Sequence, residues 1–545
     1  MRGLFRRHRD ARPRRRPGLL VERATTCEHL EPRLLLAVDV LTYHNDNGRT
    51  GDNLAETTLT PANVNAASFG KLGQVAVDGQ VYAQPLIKTG VTMPNGNTED
   101  LVFVATENDS VYAFDAKTLA PVWQDSFINP ALDVTPVPST ALGMTAILPE
   151  VGITSTPVID PTSSTIYVVS MTCTTLPSGG FSYAHQIHAL DLATGDEKFG
   201  GPVTIQATVA GKGEGSVHGK VAFNSFRELQ RSALLLSGGV VYVAFASYDD
   251  LTPFHGWLFG YNAHTLKQTT VLNVTPNGGE AGIWMSGDGP AADAAGRIYL
   301  STGNGTFSPA TGNYGDTVLK LVPTARGLQV ADYFTPYNQK SLNAGDEDLG
   351  SGGVMLLPNQ PGRLPHLMVA AGKQGTLYLI NRDNMGHFNS GRNMVVQTIP
   401  RAMTQAFDTP AYFNGTIYCA GAGFPTSFTT PGNDSLRAFT ISGGKIKTTP
   451  KVSPINLGYP GATPSISANG TSNGIVWLVQ AFGSSATLRA YDASDITHEL
   501  YDSNQAGTRD LCGPAVKFAV PTVANGKVYV GGAGTLTLYG LLSPS

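Results

Sequence analysis

Charge is what this chain has least of. Asp, Glu, Lys and Arg make up 14 % of its 545 residues, against a usual ~25 %. Cysteine is scarcer: Cys27, Cys173, Cys419 and Cys512, no two adjacent and none in a Cys-x-x-Cys. Such spacing offers no disulfide framework, no zinc site and no c-type haem attachment. It leaves open whether any two of Cys173, Cys419 and Cys512 pair. No run of eighteen apolar residues occurs, so no segment qualifies as a membrane-spanning helix. No heptad is sustained either, which excludes coiled coils as the main theme. HEXXH, a complete phosphate-binding loop and an Asp-x-Asp-x-Asp-Gly calcium loop are all missing. His185 and His188 differ by an odd number, so on a strand they face opposite ways and read as core or rim histidines.

What the chain does have is turn formers. Gly 62 and Pro 35 come to about 18 % of the residues, against a usual ~12 %. Hydrophobic residues are 41 %, enough for a sizeable core. A charge-poor chain of this kind reads as many short strands joined by tight turns. The net charge of −4 is a sum of two parts. Residues 1–40 hold ten Arg and five acids, and the remainder holds 27 basic and 36 acidic residues. The Arg run from Arg2 to Arg16 reads as a flexible leader. The acidic body argues against a nucleic-acid partner.

One pattern recurs through the body: a small-residue turn, then a β-branched residue, a central residue that is usually aromatic, and an aliphatic residue. Its centres are Phe103, Tyr167, Tyr242, Tyr299, Met368, Tyr418, Trp477 and Tyr529. They lie about 61 residues apart on average, and a second alternating strand follows each, as in VYAFD (111–115) or LRAYD (488–492). Eight such units predict an all-β fold, a single eight-bladed β-propeller of four-stranded antiparallel blades. The last unit stops one strand short. FGKLGQVAVDG (69–79) is the strand expected to complete it and close the ring. The expected division is a basic leader over 1–40 and a propeller over 41–545, monomeric.

Two resemblances follow from these residues. Leu30-Glu31-Pro32-Arg33-Leu34-Leu35-Leu36 resembles the LEPR-XLL motif of large bacterial surface or secreted proteins, which implies export to the periplasm, cell surface or medium. The repeats resemble those of pyrroloquinoline quinone (PQQ) alcohol dehydrogenases, whose docking pattern is Ala-x-Asp-x-x-Thr-Gly-x-x-x-Trp. AFDAKTLAPVW (113–123) lacks only its Gly, and ALDLATGDEKF (189–199) has Phe199 for the Trp. GYNAHTLKQTT (260–270) and AYDASDITHEL (490–500) are further from it. TPANVNAASFGKLGQ (60–74) is similar to that family's opening segment.

The resemblance implies a site. In GIWMSGDGPAADAAGRIYLSTGNGTF (282–307), Trp284 matches the indole that floors the quinone, a flat polarizable platform. Asn304 matches an amide ligand of calcium, a hard oxygen donor. In GDEDLGSGGVMLLP (345–358), Asp348 falls on the catalytic aspartate, a general base and candidate calcium ligand. In AAGKQGTLYLINRDN (370–384), Lys373 matches the cation at the quinone's reactive carbonyl. Each has a plainer reading too: a packing aromatic, a turn Asn, a loop Asp and a hairpin Lys. Gly350 stands where lanthanide-using members carry a further Asp. Gly180 aligns with the family's calcium-binding Glu, with Glu150 as a conceivable substitute, and the family's adjacent Cys pair is absent from 126–139. Haem is not implied. Two readings stay open. One is an exported, degenerate PQQ-like propeller acting as a scaffold or binding surface for a protein, glycan or small molecule. The other is a PQQ- and calcium-dependent dehydrogenase of an alcohol or sugar, with Asp348 as base.

Overall fold

The computed structural model describes residues 37–423, 433–481 and 483–543. The Arg run and the LEPR-XLL-like motif lie outside these residues. Antiparallel sheets succeed one another along the chain at 86–126, 158–204, 235–273, 291–334, 354–399, 411–452, 465–502 and 522–541. They form the eight-bladed β-propeller that the repeats predict, numbered here blades 1 to 8. First strands of adjoining blades pack side by side, as Leu235–Ser237 does with Val158–Asp160 and Ala291–Ala292. They therefore line the axis.

Closure follows the expected route. Thr522–Ala524 pairs with the start of Lys527–Leu541, and the later part of that segment pairs with Phe69–Gln80 (Phe69↔Leu541, Val75↔Leu536). Blade 8 thus joins the two ends of the propeller sequence. Blade 2 is larger than the four strands expected. Its strand Thr165–Thr175 continues onto Val134–Pro138, which pairs with Glu150–Val151. The insertion this creates, 134–151, reaches over the axis.

The core lies between blades. Val369 and Leu379 of blade 5 meet Ile417 and Phe439 of blade 6. Tyr418 and Leu436 of blade 6 meet Val476 and Tyr491 of blade 7. Period-two alternation puts an apolar row on each face of a blade, and only a neighbour on each side can bury both. Cys173, Cys419 and Cys512 are buried in this core and free.

Docking between blades uses one repeated acceptor. The residue after each Asp or Asn of the docking turn offers its carbonyl to the preceding blade. Trp123 Nε1 donates to Leu192 O at 2.9 Å. Tyr167 Oη donates to Ala263 O at 2.6 Å, and Tyr418 Oη to Ala493 O at 2.7 Å. Lys320 Nζ donates to Arg382 O at 2.6 Å, and Tyr529 Oη closes the circle on Ala116 O. Other donors thus stand in for the missing tryptophans: the central aromatics Tyr167, Tyr418 and Tyr529 of their repeats, and Lys320 in blade 4. The turn itself is an Asx turn. Asp115 Oδ1 accepts from the Lys117 and Thr118 N–H groups, and Asn262 Oδ1 does the same for His264.

Residues 38–53 circle the axis at one end as a clasp. Val38 and Asn525 of blade 8 exchange two hydrogen bonds. Val40 pairs with Ile87 of blade 1, and Leu41 O accepts from Ile159 of blade 2. Asn47 Nδ2 donates to Leu236 O of blade 3. Carbonyls of Asn47, Gly48, Thr50 and Gly51 accept from Ala292, Leu356, Tyr412 and Ile466 of blades 4 to 7. Asn53 Nδ2 returns to Val523 O of blade 8. Arg49 fills the middle, with its guanidinium on Pro290 O, Leu234 O, Tyr43 O and Thr42 Oγ1. Gly51 has φ 73°, and a Cβ there would lie 2.3 Å from His44 Nε2. Only glycine suits that point.

Candidate functional site

The blades leave a cavity of about 190 Å³ near the axis. Trp284, Asp348 and Lys373 all line it. Trp284 follows blade 3 and leads into blade 4, Asp348 leads into blade 5, and Lys373 lies in the turn after the second strand of blade 5. The structure brings the fourth sequence-derived residue to the same place: Asn304 N–H donates to Asp348 Oδ1 at 2.6 Å. Gly303 makes the approach possible. A Cβ there would lie 2.3 Å from Asp348 Oδ1 and 3.0 Å from Trp284 Cδ1.

The charges in this corner are already paired. Lys373 Nζ lies 2.7 Å from Asp348 Oδ2 and 2.7 Å from Asp346 Oδ1. Burial works against the ammonium, but Asp348 and Asp346 outweigh it and hold the Lys373 pKa above its usual range. Asn304 Nδ2 donates to Asp346 Oδ1 at 3.0 Å, and Asn304 Oδ1 is buried with no partner. Beneath, Asp316 accepts from the Leu349 N–H, and burial pushes its carboxyl up to about 8.

The donors gathered here are few for calcium. That ion takes six to eight oxygens. Among the described residues no group of three His, Cys, Asp or Glu side chains could hold a metal, and Lys373 already bridges the two carboxylates beside Asn304. Gly180 lies at an exposed hairpin tip with φ 87°. Glu150 is half-buried on the insertion, near Asp78, and does not line the cavity. Blade 2 instead turns apolar residues this way, among them Met171 and Cys173. Gly350 has no room for a side chain, since a Cβ would lie 2.4 Å from the Thr302 carbonyl carbon. His185 and His188 are core residues, and burial pushes His185 down to about 3.

Sequence reasoning missed the opposite wall. Met144, Ala146 and Ile147 of the blade 2 insertion cover the cavity, and Asp249 holds that insertion through Thr145 N and Oγ1 at 2.7 and 2.9 Å. Tyr82, Phe407, Tyr459, Phe518, Lys517 and Arg231 complete the lining. Arg231 is 7 % exposed, with its guanidinium 5.3 Å from the Tyr82 ring centre and 4.8 Å from that of Phe518. In the sequence it is only a lone cation before an apolar run, Arg231-Ser232-Ala233-Leu234-Leu235, with nothing in its own segment to mark it.

No protein-family model matches this chain, and no curated protein does. Solved structures do. A quinohemoprotein alcohol dehydrogenase from Pseudomonas putida HK5 is 13 % identical, with a TM-score of 0.60 over 93 % of this chain and 81 % of its own. The enzyme of that name from Comamonas testosteroni is 15 % identical, with a TM-score of 0.58 over 92 % and 80 %. A europium-containing methanol dehydrogenase is 14 % identical, with a TM-score of 0.54 over 92 % and 98 %. The likeness is one of fold. Among the described residues no helix is long and apolar enough to cross a membrane.

Proposed function

We propose that this chain is an exported binding propeller, a degenerate relative of the quinoprotein dehydrogenases that keeps their axial cavity but not their metal chemistry. The carrying observation is the Lys373 ammonium, bonded to Asp346 and Asp348 together. With Asn304 N–H on its other oxygen, Asp348 is engaged at both oxygens and is poorly placed to accept an alcohol proton. The cavity volume also supports this reading. About 190 Å³ is below the ~300–1,000 Å³ of pockets that enclose drug-sized ligands, and a tricyclic tricarboxylate such as PQQ is of that larger class. Export rests on the LEPR-XLL-like motif at 30–36.

The second reading, a PQQ-dependent dehydrogenase, is favoured by the convergence of Trp284, Asp348 and Lys373 on one cavity. One assay separates the two. The purified protein is mixed with PQQ and calcium, and quinone absorbance and dye-linked alcohol oxidation are recorded. No retention of PQQ at micromolar concentration and no dye reduction are expected. Turnover that Asp348→Asn abolishes while PQQ stays bound would establish the dehydrogenase instead.

A further inference from the structure

The Arg231 side of the cavity carries an observation that the pairing of Lys373 does not explain. A buried guanidinium normally finds a carboxylate or several carbonyls, as Arg49 does only a few residues' width away. Arg231 has neither among the described residues: its Nη2 is buried without a hydrogen-bond partner, and it enters no ion pair. Its company is the rings of Tyr82 and Phe518. Glu107 attracts it from beyond ion-pair distance; Oε2 of that carboxyl accepts from Gly152 N and Thr154 Oγ1, and its Oε1 is buried without a partner. A second cation, Lys517, borders the same cavity, its Nζ 5.4 Å from the Tyr459 ring. The cationic side chains of Arg231, Lys373 and Lys517 thus line one cavity with the carboxylates of Asp249, Asp250 and Asp348 and the rings of Trp284 and Phe407.

The geometry points to a small planar carboxylic acid as the ligand of this cavity. Its carboxylate would pair with Arg231 and Lys517, its ring would lie among the aromatic side chains, and a hydroxyl or amino donor would face Asp249 and Asp250. Guanidinium and carboxylate match in a two-pronged, charge-assisted contact. The volume suits a single ring, since a cavity of ~150 Å³ lined by apolar side chains takes benzene. An inorganic anion would leave the aromatic walls unused. The inference rests on the axial cavity being a binding site, as proposed above.

The probe is 4-hydroxybenzoate, with 4-hydroxybenzamide as its neutral counterpart, titrated into the full chain by calorimetry and by tryptophan fluorescence. The acid is expected to bind at least about tenfold more tightly than the amide. Arg231→Gln should remove about that factor for the acid and leave the amide unchanged. Lys517→Gln, at a half-exposed position that tolerates change, should weaken the acid about two- to fivefold. Equal affinity for acid and amide, or acid binding unaffected by both substitutions, overturns the anion site. If the acid then still loses affinity in Trp284→Ala, the cavity reading survives that failure. Dye-linked turnover with PQQ and calcium would overturn the non-oxidative reading and leave the Arg231 result to be judged on its own.

Discussion

At the scale of single residues, the site depends on atoms that are not there. Gly303 lets Trp284 and the Asp348 carboxylate pack against one stretch of backbone. Gly303→Ala should push Asp348 off Asn304 and Lys373, because the added methyl would meet Asp348 Oδ1 at 2.3 Å. The expected result is a shift in tryptophan emission and loss of any ligand, with the fold retained, as circular dichroism would check. Glu107 carries a different prediction. It is 1 % exposed, and burial pushes its carboxyl up to about 7. The folded protein then holds the proton more tightly than the unfolded chain does. Stability is highest below the unfolded pKa and falls as pH rises from about 4.5 to 7, by up to ~3 kcal/mol from this group. Glu107→Gln keeps an oxygen for Gly152 N and Thr154 Oγ1 and should flatten that slope. Urea unfolding at pH 5 and pH 8 would show the variant gaining on the native protein only at the higher pH. An unchanged difference between the two pH values would remove Glu107 from the pH response.

At the scale of elements, the docking turns show what a sequence pattern can and cannot carry. Eight units were legible because alternation and turn residues recur about every 61 positions. The Asx turn was legible as Asp-x-x-Thr. The docking donor was not, because its acceptor is a main-chain carbonyl, and any donor of suitable reach serves. Trp123, Tyr167 and Tyr418 all reach the same kind of oxygen from different strand positions. Loss of tryptophan from the pattern therefore did not mean loss of docking. Tyr167→Phe should leave Ala263 O buried and unpaired and cost about 1–2 kcal/mol, read as a lower urea midpoint with an unchanged slope. An effect within error would mean that water or a neighbour replaces the hydroxyl. The site shows the same division. Trp284, Asn304, Asp348 and Lys373 could be picked out through resemblance. Met144 and Ile147 could not, because the insertion that delivers them follows no repeat. Arg231 could not, because a single cation carries no partner in its own segment.

For the whole molecule, the clasp is the feature that no pattern announced. The contacts of residues 38–53 are mostly made through main-chain groups, which leave no trace in side-chain periodicity. Arg49 is the exception, a fully buried cation with five hydrogen bonds. Arg49→Met should leave three main-chain carbonyls without their donor and destabilise the propeller by about 3–5 kcal/mol. Differential scanning calorimetry would test this. A loss below ~1 kcal/mol would mean that the clasp is ornamental. The clasp also orders events in time. Its partners run from Ile87 to Asn525, so this segment, which precedes every blade in the chain, cannot settle until nearly the last propeller strand has emerged. Contacts this distant in sequence slow folding. They also tie each seam of the ring to the others, so that no single blade can peel away without breaking the clasp. A chain assembled in this way is slow to form and slow to come apart, and its lifetime in a protease-rich setting is governed by its rate of unfolding.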